Sequence, residues 1–333
     1  MSDMAIDTPR AAAEPAFDRA KALSAFKLGD ATFYWLTRAS AILVLLMLGG
    51  IIISLIIGAW PAMRAFGFEF LWTQRWAPSA HPTPVLGALG PIYGTILTSF
   101  IAMLIAVPVG LGIAIFLTEL CPPFLKQPIA IAVELLAGIP SIIYGMWGFF
   151  VLGPFLADTF EPAIVSAFEN VPILNTLFAG PASNLSLFNA SLVLSIMILP
   201  FITAISRDVF ATVPPVLKEA AYGIGCTTWE VVKNVVLPYT RVGVIGGVML
   251  ALGRALGETM AVTFIIGNSF RISSSLFAPG TTISAAIASE FAESDGVHQS
   301  ALILLGLLLF VLTFCVLTAA RLMLRRLEKR AGA

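Results

Sequence analysis

Charge is what this sequence lacks most. Of its 333 residues only 11% are Asp, Glu, Lys or Arg, under half of the roughly 25% found in average soluble domains. By contrast, 58% are hydrophobic and the mean hydropathy is +0.94. A water-soluble globule of that composition would have too few polar residues to cover its surface. The solvent is therefore lipid, which excludes a soluble enzyme, a secreted disulfide scaffold and a nucleic-acid binder. Cysteine is scarce and scattered, at Cys121, Cys226 and Cys315, with no CxxC pair to suggest a disulfide framework or a zinc site. The two histidines, His81 and His298, are too few and too far apart for a metal centre. No GxxxxGK[ST] loop, H-E-x-x-H or G-x-S-x-G occurs, so neither ATP chemistry nor covalent catalysis can be assigned to this polypeptide. It is not an enzyme, and binds no cofactor of its own.

What the sequence does contain is long apolar runs. A bilayer core of about 30 Å needs roughly 20 apolar residues per helix, and six stretches meet that test. They run from about Leu36 to Trp60, Tyr93 to Leu120, Pro128 to Leu156, Leu187 to Ser206, Tyr239 to Gly267 and Ala301 to Leu324. The first is too long for a signal h-region and follows about 35 mixed residues, so it is not a cleavable signal peptide. Residues 1–30 read as a mobile cytoplasmic tail.

Lys and Arg set the orientation. Arg10, Arg19, Lys21, Lys27 and Arg38 precede the first span, and Arg321, Arg325, Arg326, Lys329 and Arg330 end the chain. Six spans put both termini on one side, and the positive-inside rule makes that side cytoplasmic. Lys126 and the longer connector with Arg207, Lys218, Lys233 and Arg241 then face inward too, whereas the outward loops hold only Arg64, Arg75 and Arg271. The reading is an all-α, multi-pass membrane protein with both termini in the cytoplasm and lipid as its surroundings. Asp158, Glu161 and Glu169 crowd one outward loop and Glu290, Glu293 and Asp295 another; a solvated acidic surface is favoured over contact with an external partner.

The connector between the fourth and fifth spans is about 32 residues long, far more than packed helices need. Pro214 and Pro215 suit a helix start, and VLKEAAYGIG follows. A second helical piece, TTWEVVKNVVL, begins with Thr227 or Thr228 as cap and carries Val231, Val232, Val235 and Val236 on one face. Pro238 then marks the start of the fifth span. A partly apolar helix–turn–helix on the cytoplasmic face needs a partner to bury it.

Within it, Glu219-Ala220-Ala221, three residues, Gly225, nine residues and Val235-Val236-Leu237-Pro238 resemble the EAA loop of ABC importer permeases, with Val235 in place of the usual Ile. LLAGIPSIIYGMWG (Leu135 to Gly148) and GRALGETMAV (Gly253 to Val262) are similar to the phosphate-specific, PstC-type permeases of that family, and the resemblance covers about residues 33–325. It implies a six-helix type I importer permease of MetI-like architecture. Residues 31–87 would be the first helix and an outward loop, 88–324 the permease domain with the EAA coupling loop at about 207–238, and 325–333 a basic cytoplasmic tail. It further implies that Glu219, Ala220, Ala221, Gly225, Leu237 and Pro238 serve coupling to a separate ABC ATPase dimer (PstB type), which would use ATP. The other implied partners are a homologous permease (PstA type) and an external phosphate-binding protein (PstS type). The outer loops are too short to hold a solute-binding domain themselves. Function would be phosphate import by alternating access. The alternatives are a permease for sulfate or molybdate and, on residue chemistry alone, an ion-coupled secondary transporter, which has no need of an EAA-spaced loop.

Arg254 and Glu258 lie about 16 and 20 residues beyond Pro238, which places Arg254 roughly 24 Å along a helix. Charge at that depth is costly and points to function. Spacing i, i+4 on a continuous helix would let the two pair. Two readings stay open: a structural ion pair, or anion handling in the substrate pathway. In the second, the guanidinium fork matches phosphate oxygens and Glu258 accepts the proton of HPO4²⁻, which sulfate lacks. Gly243, Gly247, Ala251 and Ala255 recur every four residues, a small-residue stripe for close helix packing. Glu134 is a further acid near the inner end of the third span.

Overall fold

The computed structural model of the chain describes residues 19–80, 84–169, 171–180 and 183–330. Among them the structure is helical, with one isolated antiparallel bridge, Ala77 to Val85. The chain divides into two compact units, Met1–Ser54 and Leu55–Ala333. The first consists, where described, of the leading part of α1 (Arg19–Phe66), whose apolar side chains from Phe33 to Leu48 are exposed as lipid-facing residues should be. Of the tail expected over residues 1–30, residues 1–18 lie outside the described residues; from Arg19 the chain is already helical.

The second unit carries the other elements: α2 (Leu89–Ile115), α3 (Pro123–Ala137), α4 (Ser141–Phe168), α5 (Pro172–Leu177), α6 (Leu187–Ala211), α7 (Pro215–Gly223), α8 (Thr228–Leu256), α9 (Met260–Thr263), α10 (Ile283–Glu290) and α11 (Gly296–Arg330). Among the described residues, six helices are long and apolar enough to cross a membrane. The main core joins α2, α6, α8 and α9 through Ala102, Ala106, Leu194, Ile198, Ala251 and Ala261, all at or near full burial. The α2–α6 crossing is tight because Gly110 has no side chain: a Cβ there would lie 2.9 Å from Ile202 Cγ2, and Thr203 Oγ1 donates to the Gly110 carbonyl at 3.3 Å. The small-residue stripe packs within the chain. A Cβ on Gly243 would meet Val209 at 2.7 Å and one on Gly247 would meet Ile205 at 2.6 Å, so α8 lies close against α6.

Two expected spans are broken. The third, expected over Pro128 to Leu156, stops at Ala137, and α4 starts afresh at Ser141. Pro140 forces its predecessor out of helical geometry, and Tyr144 Oη bridges the break by donating to the Leu136 carbonyl at 2.8 Å. The fifth, expected to run to Gly267, ends at Leu256 with Gly257 as its cap; residues 257–259 are non-helical before α9 begins.

Prolines inside α4 and α8 follow one rule. Pro154, Pro162 and Pro238 each stand two residues past a π-helical segment, at Gly148–Leu152, Leu156–Phe160 and Val232–Val236. In such a segment each carbonyl bonds five residues ahead, as Val232 O does to Leu237 N. Each proline, which lacks an N–H, therefore follows a stretch where the hydrogen-bond ladder has already left the α register. Pro238 thus lies within one continuous helix, Thr228–Leu256, which carries the loop's second piece directly into the membrane.

Candidate translocation and coupling sites

The interrupted fifth span sets the geometry around Arg254 and Glu258. Arg254 sits exposed in the last turn of α8, where a cation is favourable against the helix carbonyl end. Glu258 lies beyond the break, and its Oε1 accepts from Ala261 N at the start of α9, at 3.5 Å. The i, i+4 pairing expected of a continuous helix is not made: among the described residues no ion pair joins them. The reason is Gly257, which ends the helix between the two and sends them to opposite sides of the break.

Glycines also explain why the two family-like stretches stand out. A Cβ on Gly145 would fall 3.1 Å from Ala261 Cα, and one on Gly148 would fall 2.4 Å from Ile265 Cδ1 and 2.7 Å from Val193 Cγ2. The first turns of α4, from LLAGIPSIIYGMWG, therefore lie directly on α9, from GRALGETMAV. The motifs are two halves of one contact that holds the break in place.

On the cytoplasmic side of the sequence reading, α7 and the start of α8 form the expected helix–turn–helix. Lys218 Nζ binds Glu119 Oε1 at 2.5 Å, tying α7 to the C-terminal end of α2. Glu219 and Ala220 are exposed and Ala221 is buried. Gly225 has φ +89°, with open space where a Cβ would stand, so glycine is required there by backbone conformation and not by crowding. Thr227 is the cap: its Oγ1 accepts from Glu230 N at 3.4 Å, while its own N–H donates to Glu230 Oε2 at 2.7 Å, a reciprocal capping box. Val231, Val232 and Val236 are buried and Val235 partly so, as their shared face implied; Val231, Val235 and Val236 pack in a cluster with Phe210, Val213 and Ala221. Leu237 is partly buried and Pro238 exposed.

Three residues here escaped the sequence argument. Val216, near the start of α7, and Ile224 and Trp229, on either side of Gly225, are 70%, 83% and 65% exposed. Their signal was available, since large apolar residues beside a charged loop have no lipid to face, but periodicity alone does not say which side of a short helix is open.

One acidic residue behaves differently from expectation. Glu161, grouped above with a solvated outward surface, is fully buried: its Oε2 accepts from Ser183 N at 3.1 Å, and Oε1 has no partner. Asp158 and Glu169 are exposed as expected. Glu134 on α3 pairs with Arg207 on α6 at 2.8 Å, and Arg207 also reaches Asp208 at 2.9 Å.

Comparison with known proteins agrees with this architecture. Residues 85–329 match the family model described as binding-protein-dependent transport system inner membrane component. The chain is 63% identical over 309 residues to the phosphate transport system permease protein PstC of Mesorhizobium japonicum, covering 92% of this chain and 94% of that one. It is 53% identical over 296 residues to the protein of the same name from Pasteurella multocida, covering 89% and 92%. Among solved structures it is similar to a bacterial ABC transporter involved in the import of alginate, with TM-score 0.58, 16% identity and 90% and 98% coverage. It is also similar to the MetNI methionine ABC transporter in an inward-facing conformation, with TM-score 0.53, 17% identity and 71% and 94% coverage. At those identities the structural likeness speaks to fold alone.

Proposed function

The chain belongs to the family of binding-protein-dependent transport system inner membrane components, and from that membership we propose that it is the permease subunit of an ATP-driven importer that brings inorganic phosphate into the cytoplasm. The observation that carries the substrate is the 63% identity to a phosphate permease across nearly the whole of both chains. Phosphate is accordingly preferred to sulfate or molybdate. The chain is a transport permease and not the ATPase; ATP is used by a partner.

In this reading the protein lies in the inner membrane with both termini in the cytoplasm. It pairs with a homologous PstA-type permease, a PstB-type ATPase dimer sits beneath, and a PstS-type binding protein delivers phosphate from outside. The turn formed by Glu219, Ala220, Ala221 and Gly225 docks on an ATPase subunit, with Val216, Ile224 and Trp229 supplying apolar contact, while Leu237 and Pro238 pass the movement into α8. That exposed apolar cluster supports the docking, because it would otherwise stand in water. ATP binding closes the ATPase dimer, the turn is displaced, and the break between α8 and α9 changes its exposure from one side to the other.

Arg254 and Glu258 are assigned to the substrate path. The exposed guanidinium of Arg254 has no ion-pair partner among the described residues, and the facing permease would enclose it. Arg254 then offers two parallel donors to a phosphate, and Glu258, placed separately by the break, accepts the proton that the hydrogen phosphate ion carries. The test is radiolabelled phosphate uptake in cells lacking other phosphate importers, for wild type, Arg254→Gln, Arg254→Lys and Glu258→Gln, with membrane abundance and complex assembly measured alongside. Loss of uptake at normal abundance supports the assignment. Retained uptake in Arg254→Gln refutes it, and stronger inhibition by sulfate than by unlabelled phosphate in wild type refutes the substrate.

A further inference from the structure

The two loops at the N-terminal end of α2 build a second basic site, remote from the break. Residues 72–77 precede α2, and residues 269–272 follow α9. Trp76 stacks on Phe270 with ring centroids 4.6 Å apart and planes 3° from parallel. Trp76 Nε1 donates to Glu290 Oε2 at 2.8 Å, and His298 Nε2 meets the same oxygen at 2.8 Å. Both loops are clamped to α2. A Cβ on Gly90 would lie 2.3 Å from the Phe270 carbonyl oxygen, one on Gly87 would lie 2.0 Å from that of Thr73, and Tyr93 Oη donates to the Ser273 carbonyl at 3.2 Å. Between them opens a groove of about 690 Å³ bordered by Gln74, Arg75, Ser269 and Arg271.

This end of the protein faces away from the coupling loop. Glu119, just past the C-terminal end of α2, holds Lys218 of α7, whereas Gly90, in its first turn, holds Phe270. The helix between spans 27 residues, or about 40 Å. Of the three arginines in the outward loops, two border this one groove. Both are exposed, and among the described residues neither has an ion-pair or hydrogen-bond partner. The nearby carboxylate of Glu290 accepts from Trp76 and meets His298, and it forms no ion pair with either arginine. Two unpaired guanidinium groups fixed on rigid loops over an aromatic floor are a source of positive potential at the mouth of a low-dielectric body, where such charge concentrates anions.

We propose that Arg75 and Arg271 form an outward receiving site for a hydrated oxyanion, which holds inorganic phosphate between its release outside and its passage to the break near Arg254. The site rests on the phosphate-importer reading and adds a residue pair to it. Its role is capture: the arginines raise the local concentration of phosphate without stripping its water, and the chain from Arg271 back through α9 leads directly to Glu258. The same chemistry could instead receive carboxylates of the docked binding protein, and the test separates the two.

The experiment uses the complete importer in proteoliposomes with its binding protein and radiolabelled inorganic phosphate, comparing wild type with R75Q/R271Q and R75K/R271K. The expected result is a ~10-fold fall in uptake for R75Q/R271Q at saturating binding protein, a smaller fall for R75K/R271K, and a difference from wild type that narrows as salt screens the charges. Binding-protein affinity for the complex, measured in parallel, is expected to be unchanged. Unchanged uptake in R75Q/R271Q overturns the proposal. So does a fall in binding-protein affinity that saturating binding protein fully rescues, which would make the groove a protein dock. Absence of phosphate uptake by the wild-type complex would instead overturn the importer reading itself.

Discussion

Ile224 offers the sharpest handle on coupling, because its side chain is 83% exposed in the isolated chain and does nothing visible for the fold. If the turn docks on an ATPase subunit, this side chain passes from water into a protein cleft. Ile224→Ala removes three carbons, worth about 2.4 kcal/mol at about 0.8 kcal/mol per buried methylene. That corresponds to a roughly fifty-fold weaker association. The figure is an upper bound, since a partner cleft can relax. The assay is co-purification of the ATPase with the permease across a dilution series, with phosphate-dependent ATP hydrolysis read from the same preparations. The folded permease should be unaffected, so its melting temperature serves as control. Gly225 supplies an independent arm. Its φ of +89° disfavours any residue with a Cβ by about 1–2 kcal/mol, but Asn tolerates left-handed geometry better than Val. Gly225→Asn should therefore couple better than Gly225→Val, although Asn and Val are alike in bulk. Undiminished ATPase association in Ile224→Ala, or equal behaviour of Gly225→Asn and Gly225→Val, would refute the docking argument.

Three further outcomes follow from the packing. Gly94→Ala should lower the melting temperature more than Gly148→Ala, because its Cβ would meet the Thr281 carbonyl at 1.9 Å whereas that of Gly148 meets the tips of Ile265 and Val193; thermal unfolding in detergent checks the order. Glu161→Gln keeps an acceptor for Ser183 N and adds a donor beside Asn189, whose Oδ1 lacks a partner. It should be at least as stable as wild type, while Glu161→Ala should lose about 1–3 kcal/mol, both measured by urea titration. Glu134→Gln should leave phosphate uptake within twofold of wild type, since its bond to Arg207 is half exposed on the carboxylate side and such pairs are worth about 0–1 kcal/mol; abolished uptake would move Glu134 into the path.

How much of this could be read from the sequence depended on which force decided each feature. The six spans were legible because lipid demands a continuous apolar run, and the coupling loop because its polar–apolar pattern and its spacing are local properties of the chain. The cap at Thr227 and the valine face followed from the same local rules. The breaks were hidden for a physical reason. An apolar stretch has the same composition whether or not its backbone is unwound, so Pro128 to Leu156 and Tyr239 to Gly267 looked continuous. Pro140 did announce one break, but a proline inside an apolar run is as compatible with a kink as with a helix end. Gly257 announced the other only in combination with Gly145 and Gly148, more than a hundred residues earlier, whose missing side chains let α4 press on α9. Glu161 was misread because acidity in a loop suggests water, and only tertiary contact with residues 183–189 removes it. The consequence for function lies in Arg254 and Glu258. On an unbroken helix they would neutralise each other, leaving little charge to offer an anion. Gly257 separates them: Arg254 stands in the last turn of α8 with no ion pair among the described residues, and Glu258 accepts from Ala261 N, so neither is consumed by the other. A transporter that must bind and then release a charged ion gains from charges kept apart in this way, because the site does not first have to break a bond of its own.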